Sequence, residues 1–358
     1  MKYKTTVILF VFFLFSMIVK GQSDKMTQVD EFVKNEMKKR NIPGLTLIIL
    51  KDGKATKESA YGVANVELNV PATVNTVYPI ASATKSITAT ALLTLVDEGK
   101  LKLDDNIQTL LPGLPESWGS VTVKQLLSHT SGLPDIAVRP GRPELIADNQ
   151  EEALRKLSEM PLQFKPGERW AYNQTNYVLL GMIIEKITGL SFQEFIKQRF
   201  FVPLGMTSTS YGDANDVIIG RASTYQTNKR GQLQTLSLIF PNYVRTAAGI
   251  NTTVGDLAKW LNALKEGKVI KSSTQEIMWE AIKLNDGNVF RLDKKTIGYG
   301  LGWVVNDRPG HKIVGHSGGG TAVFNYLTQN NLTIIVLMNG QNNPDSFING
   351  IVSILIPE

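Results

Sequence analysis

The stretch SATKSITATALLTLVDEG, residues 82–99, sets a short polar start against a run of helix formers and apolar residues. Ile87, Ala91, Leu92, Leu95 and Val96 recur at helical spacing and Gly99 is a stop signal, so the pattern predicts a helix that opens at Ser82. A separation of three residues puts the Ser82 hydroxyl and the Lys85 amine on one helix face. Two readings follow. Either Ser82 is an N-cap and Lys85 a solvated side chain, or the amine takes the hydroxyl's proton and Ser82 is a nucleophile. A helix start suits the second, because its dipole favours negative charge beside the Ser82 N–H and disfavours a protonated Lys85. The spacing alone leaves both open, since Ser-x-x-Lys arises by chance roughly once in a chain of this length.

Working outward toward the N-terminus, Met26 to Arg40 has helical spacing (Val29, Phe32, Val33, Met37) and ends at Pro43-Gly44. Leu45 to Leu50 reads as a buried strand with Gly53 in the following turn, and residues 57–80 carry short strand-like pieces. Ahead of these, Lys2 and Lys4 precede the apolar run Val7 to Val19, and Gly21 sits at a plausible cleavage point. The run is shorter than the roughly 20 apolar residues of a membrane span. Residues 1–21 therefore read as a secretory signal and 22–358 as the mature chain, periplasmic or secreted, with no stable membrane anchor. The sequence has no cysteine, which excludes disulfides, thiol catalysis, cysteine metal sites and a lipid-modified N-terminal Cys. Lys2, Lys4 and Lys20 lie in the signal, so its removal halves the net charge of +6. The remaining Lys and Arg are evenly spread, which argues against a nucleic-acid partner.

Toward the C-terminus, residues 101–240 shift to helices and Pro- and Gly-rich turns, which reads as a helical lobe inserted into a sheet domain. Strand patterns return at Leu301 to Val305, Lys312 to Val314, Ala322 to Leu327 and Leu332 to Met338. Their short Gly and Asn turns suggest an antiparallel meander, closed by a helix over Phe347 to Leu355. The expected class is α+β, an antiparallel sheet flanked by helices, with an active site in the cleft beside the inserted lobe.

Two further constellations carry chemistry. Tyr172 lies in the segment Pro166 to Tyr177, just before a predicted helix over Val178 to Ile187. It is either a core residue or, with Lys85 and another cation close by, a phenol of lowered pKa that shuttles protons. The segment Val314-Gly315-His316-Ser317-Gly318-Gly319-Gly320-Thr321 crowds glycines at a strand end, where substrate backbone can approach and N–H donors can serve an oxyanion hole. A phosphate-cradling loop would instead need a helix opening on Gly-Lys-Ser/Thr, which is absent. His129, His311 and His316 are the only histidines and have no metal-ligand spacing. No metal and no cofactor is expected. No Gly-x-Gly-x-x-Gly occurs.

Taken together, these motifs resemble the serine beta-lactamase-like superfamily, in the branch of class C beta-lactamases, low-molecular-weight D-Ala-D-Ala carboxypeptidases, D-aminopeptidases and esterases. The resemblance spans most of the mature chain: Ser82 to Lys85, Leu126 to Pro134, Pro166 to Tyr177, Pro203-Leu204-Gly205-Met206, Ala248-Gly249, Tyr299 to Trp303 and His316-Ser317-Gly318. It implies the beta-lactamase/transpeptidase-like α/β sandwich. It also implies Ser82 as nucleophile, Lys85 as its base, Tyr172 as proton shuttle and the backbone N–H groups of Ser82 and Gly319 as oxyanion hole. Gln174, His316, Ser317 and Gly318 are implied substrate contacts, and His129 a satisfied packing residue. The family's Tyr-x-Asn is here Tyr172-Asn173-Gln174, and its Lys-Thr-Gly is here His316-Ser317-Gly318. The second change leans toward the peptidase and esterase members, and a protonated His316 would hold a substrate carboxylate below its usual pKa near 6.5. The expected substrates are D-amino-acid peptides, cell-wall peptide among them, or small esters and amides. A weak class C-like beta-lactamase and a catalytically idle wall-peptide-binding protein are the alternatives.

Overall fold

In β1 (Gly44–Lys51), every residue from Gly44 to Leu50 is buried. Leu45, Leu47 and Ile49 enter one hydrophobic core, Ile48 and Leu50 another. That is the period-2 geometry of a strand covered on both faces, and the reason it reads as a nearly continuous apolar run, interrupted by Thr46. The structure, a computed structural model, describes residues 24–137, 147, 149–237, 239, 241–293, 297–308 and 311–357. The expected signal segment lies outside these residues.

β1 pairs antiparallel on one side with β2 (Lys54–Asn65) and on the other with the last strand, β8 (Leu332–Met338), where Leu45 faces Met338. The eight strands run in the order β3-β2-β1-β8-β7-β6-β5-β4, with β3 at Val70–Pro71, β4 at Ile297–Tyr299, β5 at Val304–Arg308, β6 at His311–Gly318 and β7 at Ala322–Leu327. The C-terminal meander is antiparallel throughout. Two expectations need correction. The pieces foreseen over 57–80 include one strand of 12 residues, because pairing with β1 carries the polar stretch from Lys54 onward into the sheet. Of the strand foreseen at Leu301 to Val305, only Val304 and Val305 are strand, opening β5, since the chain bends over 301–303 while Trp303 stacks on Trp260 (ring centroids 5.8 Å).

Helices cover both faces. A helix over residues 24–40, α1, and the closing helix α5 (Asp345–Leu355) bury Val29, Val33, Phe347 and Ile351 against Leu45, Leu47, Ile334 and Val336. The opposite face carries α2 (Thr84–Asp97), α3 (Gln174–Thr188) and α4 (Val254–Lys265), packed into the larger core. The interval 101–240 holds short helices as well as α3, but also strands at Ser210–Tyr211, Tyr225–Thr227 and Leu233–Thr235. Its expected all-helical character is corrected to that extent. These strands are only two or three residues long, too short for a periodic signal.

The helix foreseen at Ser82 begins as a single 3₁₀ turn, Ala81–Ala83, and continues as α2. Instead of one apolar face, α2 is buried all round from Thr84 to Leu95. Its hydroxyls are satisfied locally or across the packing: Thr90 donates to the Ser86 carbonyl (2.7 Å), Thr88 to the Thr246 carbonyl (2.7 Å) and Ser86 to the Gly302 carbonyl (2.8 Å). Such pairing is what lets a helix rich in Thr occupy a core.

Candidate active site

From Ala81 to Leu95, Ser82 alone is not buried. Its turn is unusual in backbone as well, because Ala81 adopts φ 42°, a left-handed value that costs an L side chain on the order of 1–2 kcal/mol. No side chain caps either helical start here. The N-cap reading of Ser82 therefore does not apply.

Lys85 sits in the first turn of α2 with no exposed surface. Its Nζ lies 3.4 Å from Ser82 Oγ, 2.7 Å from Gln174 Oε1 and 3.0 Å from the Ala247 carbonyl oxygen. The rings of Tyr172 and Tyr177 stand 4.8 and 5.4 Å away. Burial pulls the amine down from 10.5 to about 7, with the Asp135 carboxylate opposing the shift. A neutral amine has two protons and one lone pair. Gln174 and Ala247 accept the two protons, which leaves the lone pair for the Ser82 hydroxyl.

Tyr172 precedes Asn173, the N-cap of α3, whose side chain accepts the Asn176 N–H. α3 thus starts four residues earlier than the spacing predicts, and Gln174 becomes its first residue. The Tyr172 hydroxyl is buried and has no hydrogen-bond partner. Burial raises its pKa, Asp135 adds to the rise and the neighbouring Ser82 hydroxyl partly offsets it. The expectation of a lowered phenol is corrected: desolvation dominates, and Tyr172 is a neutral phenol.

The third motif lies at the end of β6. His316 is buried; its Nδ1 is 2.6 Å from the Ser317 carbonyl oxygen and its Nε2 3.1 Å from the Tyr299 hydroxyl. Burial and the Lys85 charge push its pKa down to about 4, against the pull of the Ser317 carbonyl. A protonated His316 at working pH is thereby corrected to a neutral imidazole that donates from Nδ1 and accepts at Nε2. Gly318 follows where the strand meets the Ser82 turn. A Cβ there would lie 2.0 Å from the Ile80 carbonyl oxygen and 2.8 Å from the Ser82 nitrogen. Only glycine lets β6 approach so closely, and Gly319 then turns away at φ 59°. Gly318→Ala should push the strand from the turn and lower turnover about tenfold or more. Gly255→Ala, in α4, where the added carbon would meet Glu58 Oε1 at an ordinary 3.8 Å, should leave turnover unchanged. Equal activity in the two variants would contradict this account of the turn.

Ser82, Tyr172, His316, Ser317, Gly318 and Gly319 line one cleft of about 270 Å³, walled by Trp170, Leu292, Tyr299 and Val304. A larger cavity of about 640 Å³ between Lys25, Ile49, Leu332 and Leu355 holds no nucleophile and base pair. Gln174 is not in the cleft wall; its side chain serves Lys85. Sequence reasoning passed over Asp135, whose Oδ1 accepts the Gln174 and Ala137 N–H groups (2.9 and 3.1 Å), although it follows Pro134 directly. It also passed over the Ala247 carbonyl, one residue before the Ala248-Gly249 pair. Among the described residues, no group of three His, Cys, Asp or Glu side chains could hold a metal, and no helix is long and apolar enough to cross a membrane.

Penicillin-binding protein 4* of Bacillus subtilis (strain 168) is 30% identical over 324 residues, 84% of this chain. It and other relatives are longer, and the chain spans 62–69% of their lengths. Among solved structures, an octameric penicillin-binding protein homologue from Pyrococcus abyssi is 31% identical with a TM-score of 0.77, covering 93% of this chain and 78% of that one. A D-amino acid amidase from Ochrobactrum anthropi SV3, in complex with L-phenylalanine amide, is 25% identical with a TM-score of 0.75, covering 93% and 96%. The Beta-lactamase family model matches residues 29–355. This chain, with the sheet and helix layers of that fold, belongs to the beta-lactamase family of serine hydrolases.

Proposed function

We propose that the protein hydrolyses small neutral esters or amides through an acyl-enzyme on Ser82. The observation that carries this is the pairing of the one accessible residue of the 81–95 segment with a buried amine whose two protons are taken by Gln174 and Ala247. Lys85 Nζ takes the Ser82 proton as Oγ bonds to the substrate carbonyl carbon. The carbonyl electron pair moves to oxygen, where the Ser82 and Gly319 N–H groups receive it. Collapse breaks the bond to the leaving group, which takes a proton from the Tyr172 hydroxyl while Lys85 returns one to Tyr172. Water then enters where the leaving group was. It gives up a proton along the same route to Lys85 as it attacks the acyl carbon, and Lys85 passes that proton to Ser82 Oγ as the Oγ–acyl bond breaks.

The substrate class follows from charge. Among the described residues that line the cleft there is no cation for a substrate carboxylate, because His316 is neutral and Lys85 lies behind Ser82. Trp170, Leu292, Tyr299 and Val304 present apolar and aromatic wall instead. The test is a panel of short-chain aryl ester, D-phenylalanine amide, D-Ala-D-Ala peptide and chromogenic cephalosporin, each also run with Ser82→Ala. The ester and amide should give the higher kcat/KM. The peptide-to-ester ratio should also stay level between about pH 6 and 8, where His316 does not titrate. A preference for the peptide, falling as pH rises through that range, would restore the carboxylate-reading role of His316.

Tyr172→Phe keeps the ring and removes only the oxygen. Turnover should fall about tenfold or more with little change in melting temperature. Normal turnover would make Tyr172 a packing residue.

A further inference from the structure

His129 holds a backbone conformation that disfavours side chains, φ 60°, and has no exposed surface. A buried imidazole so placed must engage its polar atoms or lose stability. Its contacts converge on Tyr172. The His129 carbonyl accepts the Ala171 N–H (2.9 Å), and ring Nδ1 accepts the Asn173 N–H (3.2 Å). The residues on both sides of Tyr172 are thus tied through their N–H groups to one residue, whose ring lies against the phenol with centroids 4.4 Å apart.

The tautomer follows from the surroundings. Asn176 Oδ1 accepts the Ser131 hydroxyl (2.6 Å), so it is the Asn176 amide nitrogen that meets His129 Nδ1 at 3.1 Å. Two donors on Nδ1 require that it carry no proton, which leaves the proton on Nε2. Nε2 has no hydrogen-bond partner, and the rings of Tyr177, Tyr299 and Trp170 surround the imidazole at 5.2, 5.1 and 6.0 Å.

We propose that His129 is a positioning residue for catalysis, which as the Nε2–H imidazole clamps Ala171 and Asn173 and so aims the Tyr172 hydroxyl at Ser82 and Lys85 without touching substrate. This rests on the proton-transfer role of Tyr172 given above. His129→Leu removes the ring acceptor, whereas His129→Asn retains a short side-chain acceptor and tolerates positive φ. On the aryl ester, His129→Leu should lower kcat about tenfold or more with KM within about threefold, and His129→Asn should recover most of the loss. In a Tyr172→Phe background, His129→Leu should change kcat by less than about twofold, because no hydroxyl remains to be aimed. The ¹⁵N ring signals of the unmodified protein should show His129 with Nδ1 unprotonated. A full additional loss in the double variant overturns the proposal, and so does a protonated Nδ1 in the spectrum, which is readable even where neither variant folds. Full turnover by Tyr172→Phe alone is a different result: it removes the role of Tyr172 itself, and the proposal with it, before any change is made at His129.

Discussion

Ser82→Ala is expected to lower kcat on the aryl ester by about 10³-fold or more, the scale seen when a nucleophile that works as a unit with its base is removed. Folding should be nearly untouched. The Ser82 residue is partly exposed, Lys85 Nζ approaches its hydroxyl at 3.4 Å, and it caps neither helical start. A melting temperature within about 2 °C of the parent, together with the kinetic loss, separates chemistry from stability. Retention of more than about a tenth of the activity would mean that another group attacks the substrate.

Lys85→Met should lower turnover by about 10² to 10⁴, the usual worth of a positioned general base. The pH profile is the sharper readout. With the amine drawn down to about 7, the unprotonated form that can accept the Ser82 proton grows as pH rises through that value. Parent kcat/KM on a neutral ester should therefore climb between about pH 6 and 8 and level off above, and the residual activity of Lys85→Met should lack the climb. Stability moves the other way. A lysine whose folded pKa lies below its unfolded value binds fewer protons folded than unfolded between about 7 and 10.5, so it costs stability at neutral pH, and that cost falls as pH rises through this window. Replacing the buried amine by the thioether of similar length should raise the melting temperature by about 2 °C or more. A parent profile flat through pH 7, or a Lys85→Met variant less stable than the parent, would contradict a buried neutral base.

The parts of the fold that were legible in the sequence are those whose burial is two-sided or strongly periodic. β1 and β8 are nearly continuous apolar runs, each interrupted by one threonine, because both faces are covered, and Gly99 marked the end of α2 to within two residues. The three-residue offset of Ser82 and Lys85 was legible too, since a helical turn alone brings them together. What escaped depends on partners distant in the chain. Gln174 is 89 residues from the amine it meets, so spacing could assign it only to substrate. The ionisation of Tyr172 and His316 was misjudged for the same reason. Their pKa values are set by burial, Tyr172 beside Trp170 and His316 beside Tyr299, which no local pattern displays. His129 was legible as a buried packing histidine; that its Nε2 lacks a hydrogen-bond partner, and that it holds both neighbours of Tyr172, was not.

The central claim is that Ser82 is the acylated nucleophile, and covalent labelling tests it most directly. The protein is incubated with a fluorophosphonate, its intact mass is measured and the modified peptide is sequenced, beside Ser82→Ala treated identically. One adduct per chain, on the peptide that contains Ser82 and missing from the variant, is the predicted result. An adduct on another residue, or one that persists in Ser82→Ala, would contradict it.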